Sequence, residues 1–153
     1  MDATPVPTYM EPQWFFPLFA VMWLTISTVL SHIGGWASLA KQFRDTGPQT
    51  GERFRFVSGS MGAGVFPVSY GGCLFVAVND VGFRLSILFL FRFQTPPLFI
   101  PWSIVESVEE KRLLFVDYIR IRVRDHWPII SIRGRAGASI KAAYAAASSR
   151  SVL

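Results

Sequence analysis

The pattern of apolar and polar positions divides the chain into stretches of different period. From Trp14 to Ile33 it reads WFFPLFAVMWLTISTVLSHI, 20 residues without a formally charged side chain. At about 1.5 Å per helical residue this run covers roughly 30 Å, the thickness of a hydrocarbon core. It predicts a transmembrane helix, with residues 14–35 assigned to the span and residues 1–13 to a tail outside it. Pro17 falls in the first predicted turn, where a missing N–H costs little. After Gly34-Gly35 the helical period resumes in WASLAKQFR. Trp36, Leu39, Ala40 and Phe43 share one face, and Ser38, Lys41, Gln42 and Arg44 the other. This predicts a short helix lying at headgroup level or against the following domain, then a turn-rich linker, DTGPQTGE, so that residues 36–52 connect span to domain.

From Arg53 the period changes to two. FRFVS sets Phe54 and Phe56 against Arg53 and Arg55, and CLFVAV (73–78) is continuously apolar, as in a strand covered on both faces. Asn79-Asp80-Val81-Gly82 reads as a hairpin loop leading into FRLSILFLFR, a strand predicted to run to Phe93. A proline-bounded turn at TPP and a short strand LFI follow. Ser103 and Glu106 have capping-box spacing, so a brief turn is expected at Ser103 before ESVEE forms a strand. YIRIRVR sets Ile119, Ile121 and Val123 against Tyr118, Arg120, Arg122 and Arg124, and WPIISIR is a further strand. The chain then turns helical in AGASIKAAYAAASS, with a stripe of Ile140, Ala143, Tyr144 and Ala147. The expected class is α+β: one transmembrane helix, then six or seven antiparallel strands in a curled sheet or barrel closed by a C-terminal helix. That domain is placed at residues 53–148, with 149–153 as a tail.

Charge adds an orientation. Only 16% of residues are charged against 51% apolar, below the roughly 25% of a soluble domain. Asp2 and Glu11 precede the span, and all 15 basic and the other 8 acidic residues follow it, a net −2 against +7. The positive-inside bias therefore places the domain in the cytoplasm and the N-terminal tail outside a cell membrane. Trp14 and Trp36 flank the span, and Lys41 and Arg44 follow it, as interfacial anchors do. The tail before the span holds no lysine or arginine, which argues against a cleaved signal peptide. With the basic excess explained by topology, no nucleic-acid partner is expected. The single Cys73 forms no internal disulfide.

GWASLAKQFR, the SGSMG stretch, and GCLFVAVNDVGFRLSILFLFR followed by PPLFIPW resemble a family of small single-pass bacterial membrane proteins. That likeness covers residues 34 to about 105. It implies a shared fold and a membrane anchor, and carries no activity. The strand order, LFIPWSIVESV and the closing IRGRAGASIKAAY resemble bacterial pleckstrin-homology or GRAM-like domains over about 53–148. This implies a bent antiparallel barrel closed at one end by a helix. Phosphoinositide-binding members carry basic residues around the first strand-to-strand loop, whereas Ser60 to Gly72 holds none here. The resemblance therefore does not extend to phosphoinositide recognition.

Catalytic chemistry is hard to assemble from these residues. His32 lies at the inner end of the span and His126 in a turn, neither with a cysteine or carboxylate at ligand spacing, so no metal is expected. GSMGAG (59–64) opens no helix and lacks the lysine of a phosphate loop. Glu106, Glu109 and Glu110 read as a solvated strand edge. No cofactor is expected.

Two binding features remain. Ser27, Ser31 and Gly35 recur every four residues, a small-residue seam for another transmembrane helix. Arg120, Arg122 and Arg124 line one sheet face and would attract acidic lipid or a partner, with Glu109 as a candidate cross-strand neighbour. The expected partners are membrane lipid and other membrane proteins. The expected role is a non-catalytic accessory or structural subunit of a membrane complex, for instance an energy-transducing one. A tethered adaptor for acidic lipid or a signalling partner is the alternative, and an enzyme of unrecognised type stands behind it.

Overall fold

The computed structural model describes residues 12–48, 50–62, 67–125 and 128–152. Helix α1 runs Pro12–Ile33, so Pro17 is its sixth residue rather than part of its first turn. Its side chains are exposed on nearly every face. Over Gln13–Ile33 the mean hydropathy is 1.7, enough by length and composition to cross a membrane.

A Gly34-Gly35 turn leads into α2, Trp36–Phe43. Gly35 adopts φ 76°, a left-handed conformation that a β-carbon disfavours. Helix α2 lies against the sheet, with Trp36 and Leu39 fully buried. The Trp36 indole N–H donates to the Pro96 carbonyl at 2.9 Å, which satisfies the one polar atom that this ring brings into the core.

Seven strands follow: β1 (Glu52–Gly62), β2 (Val68–Val78), β3 (Gly82–Ile87), β4 (Leu98–Pro101), β5 (Val105–Leu113), β6 (Val116–Val123) and β7 (Ile129–Arg133). They form one curled antiparallel sheet in the order β4-β3-β2-β1-β7-β6-β5. The Asn79 side chain organises the β2–β3 hairpin by accepting from the N–H groups of Val81 and Gly82. Strand β1 joins the two halves of the sheet, pairing with β2 over most of its length and with β7 from Gly59 to Gly62. Gly59 permits this crossing, since a β-carbon there would lie 2.6 Å from the Ser131 carbonyl oxygen. Edge strand β4 is covered by a bridge from Arg44 to Leu98, which shields a row of open backbone groups.

The core lies inside the curl. Phe83, Leu85, Ile100, Ile121, Ile130 and Ile132 fill it, with Trp36 entering from α2. Helix α3, Gly134–Ser151, covers the sheet with Ile140 fully buried and Ala143, Tyr144 and Ala147 half-buried, the stripe expected from sequence. Trp102 packs 6.0 Å from the Tyr144 ring and donates to the Asn79 carbonyl, tying α3 to the β2–β3 hairpin.

Three local expectations are corrected. Strand β3 ends at Ile87, and a 3-10 segment, Phe89–Gln94, replaces its continuation. The last ladder pair is Leu74–Ile87, and Phe91 then turns to meet Trp23 of α1 at 5.0 Å. Phe56 does not share the buried face with Phe54, because a bulge at φ 56° turns it outward onto Phe75. The turn before β5 is a 3-10 turn, Trp102–Ile104, with Pro101 at its cap position and no side-chain cap bond, so Ser103 does not cap it.

Candidate functional site

The four-residue spacing places Ser27 and Ser31 on one face of α1, but that face meets the chain's own sheet, and Gly35 lies past the end of α1 in the left-handed turn before α2. Ser31 is buried. Ser27 and Ser31 line a cavity of about 160 Å³ together with Tyr70, Cys73 and Phe91. At Gly35 a β-carbon would lie 2.7 Å from Pro128, and at Gly34 one would lie 2.9 Å from the Tyr70 hydroxyl. The small residues therefore let the sheet approach the foot of α1. Burial pushes the Tyr70 hydroxyl up to about 12. That hydroxyl has no hydrogen-bond partner among the described residues.

The expected anchors separate. Trp14 is exposed at the start of α1, and Lys41 and Arg44 are exposed at the end of α2. Trp36 instead belongs to the core, because α2 turns its apolar face into the sheet rather than towards lipid.

Arg120 and Arg122 lie on β6 and Arg124 just past its end, with Arg120 opposite Glu109 and Arg122 opposite Ser107. A hydrogen bond and charge from Lys111, then the charges of Arg122 and Arg120, hold the Glu109 carboxyl below its usual range. The arginine row thus has an acidic neighbour. Beside it, Lys141 of α3 pairs with Glu110, which lowers that carboxyl in the same way.

His32 donates from Nδ1 to the Thr28 carbonyl at 2.8 Å on α1. Cys73 donates to the Gly71 carbonyl. His126 lies outside the described residues, as do residues 63–66, which include the end of the GSMGAG stretch. No group of three metal-ligating side chains gathers among the described residues.

Two surfaces are not evident from linear pattern. The first is the β5–β6 hairpin tip, where Leu113, Leu114, Phe115 and Val116 stand in solvent, Leu114 at 83% and Phe115 at 94% exposure. It lies far from the foot of α1. Pro128 at one end of β7 touches Gly35, while Arg133 at the other end pairs with Tyr118, three residues past Phe115. At about 3.3 Å per residue, roughly 25 Å of strand separates the two regions.

The second is a cavity of about 290 Å³ on the outer face of the β1–β4 half-sheet. Ladder pairing sets Arg53, Ala77, Arg84 and Phe99 in one cross-strand row. The small side chains of Ala77 and Ser86 leave a hollow between longer neighbours, and the 3-10 segment walls it with Phe89 and Arg92. Arg53, Arg55, Arg84 and Arg92 all line it, with no carboxylate among the lining residues. Arg84 is fixed from behind by Asp45 and by the Pro48 carbonyl.

No protein-family model matches the chain, and none of the curated proteins matches its sequence.

Proposed function

We propose that this is a single-pass membrane protein whose folded β domain lies on the cytoplasmic side and serves a non-catalytic, accessory role in a membrane protein complex. The observation that carries the reading is α1. It is a 22-residue apolar helix, exposed along most of its length and joined through a glycine turn to an independently cored sheet. Leaving such a surface in water would be costly, at roughly 25 cal/mol per Å² of apolar area. Lipid removes that cost. Orientation rests on the positive-inside bias, since every lysine and arginine follows the span.

The sheet supports a pleckstrin-homology-like reading. Four antiparallel strands are followed by three more, and a C-terminal helix packs across the core. The likeness to small single-pass bacterial membrane proteins agrees with that architecture and stays at the level of fold and anchor. The apolar hairpin tip supports the accessory role. Four adjacent large apolar side chains in solvent, far from the foot of the span, suit contact with a protein neighbour.

Gentle detergent extraction followed by sizing and identification of co-purifying chains tests the reading. The wild-type chain should elute within a larger assembly. Leu114→Asp with Phe115→Asp should release it while leaving its own unfolding free energy within the roughly 0.5 kcal/mol typical of surface changes. A wild-type chain that elutes alone would remove the subunit reading.

A further inference from the structure

We infer that the arginine-lined cavity on the outer face of β1–β4 holds the phosphate headgroup of an anionic phospholipid from the leaflet facing the domain, with Phe89 and Leu90 inserted among the acyl chains. This rests on the reading that α1 spans the membrane, and it concerns a site that the spanning helix positions.

The depth argument starts from aromatic stacking. Phe15, Phe19 and Trp23 form a ladder along α1, with successive centroids 6.1 Å apart, and Phe91 of the 3-10 segment continues it at 5.0 Å from Trp23. Trp23 lies ten residues before Ile33, roughly 15 Å up the helix axis. The apolar surface of α1 continues down to Ile33, which is itself exposed. Were the bilayer to begin only above Trp23, the remaining helix would cover about half of a 30 Å hydrocarbon core. The 3-10 segment must therefore lie beside the span within the inner leaflet. Its composition fits, because Phe89 is 72% and Leu90 57% exposed.

Charge completes the site. Arg92 belongs to the same segment, and a long arginine at that level snorkels towards phosphates. Arg55 and Arg92 form no ion pair among the described residues. Together with Arg53 and the fixed Arg84 they face a hollow without a carboxylate, and guanidinium forks bind phosphate oxygens in pairs. Aromatic side chains from Phe75 and Phe89 border the same hollow, as expected where headgroup meets acyl chain.

The full chain in mild detergent, titrated with phosphatidylglycerol or phosphatidylcholine and read by native mass spectrometry, tests the site. Wild-type protein should retain phosphatidylglycerol at concentrations where phosphatidylcholine is lost. Arg55→Gln with Arg92→Gln should weaken that retention about fivefold for each charge removed. Both side chains are exposed, so the fold should persist in the variant. Independently, Leu90→Cys on a Cys73→Ser background, labelled with a fluorophore in reconstituted vesicles, should be quenched by lipids brominated on their acyl chains and protected from aqueous iodide. Equal retention of the two lipids, competition by inorganic phosphate at matched concentration, or a fluorophore open to iodide would overturn the proposal. Carbonate extraction of the same vesicles separates the two claims. A chain that stays in the membrane without preferring the anionic lipid loses only the arginine site, whereas release by carbonate removes the spanning helix beneath it.

Discussion

Gly35 shows how much the junction between α1 and the domain depends on single atoms. Its backbone is left-handed, and a β-carbon would press on Pro128. Gly35→Ala should therefore destabilise the domain by about 2–4 kcal/mol, backbone strain and overpacking together. A thermal midpoint in detergent equal to wild type would contradict this. Tyr70, beside the same junction, gives a pH test. Burial raises its pKa from 10.0 to about 12, because the charged form loses hydration. A raised folded-state pKa means that the neutral tyrosine's contribution is fully present below pH 10 and lost as pH rises towards 12. Urea midpoints across that window should fall further for wild type than for Tyr70→Phe, and parallel curves would refute the burial argument. The residues that carry charge were plain in sequence. That Arg53, Arg84 and Arg92 converge was not, because strand register and a 3-10 turn bring them together.

At the scale of elements, periodicity reads local structure well where one partner decides it. The alternation in YIRIRVR and the Ile140–Ala147 stripe each face a single surface, and both fold as read. The alternation of FRLSILFLFR persists past Ile87, yet the strand stops there although β2 continues to Val68, and the chain turns so that Phe91 meets an aromatic neighbour on α1. In the same way the apolar stripe of α2 suits headgroups or a protein core equally, and only the sheet's position chooses the core. The small-residue seam has this ambiguity too. Ser31→Leu adds bulk to a buried contact between α1 and β2, so it should loosen the domain from the helix. Limited proteolysis within residues 34–50 should then run faster than in wild type, by roughly the factor of 5–30 that 1–2 kcal/mol supplies. Unchanged cleavage with loss of co-purifying chains would instead assign the seam to a neighbouring helix.

Over the whole molecule, an exposed oily helix is joined to a cored half-barrel that carries two unusual surfaces. The arginine cavity is walled by the 3-10 segment that meets α1 at Trp23, and the apolar hairpin tip lies far from the foot of α1, so one surface of the domain suits lipid and another suits protein. The apolar helix, the strand-period stretch after it and the closing helix were legible because each is a long run with one period. The hairpin tip was not, since LLFV between two strands has the same composition whether its turn is covered or bare. Protease protection tests the central claim most directly. The account predicts that trypsin leaves the domain intact in sealed right-side-out vesicles and digests it in inverted ones, while carbonate releases the chain from neither. Digestion from the outer face, or release by carbonate, would contradict it.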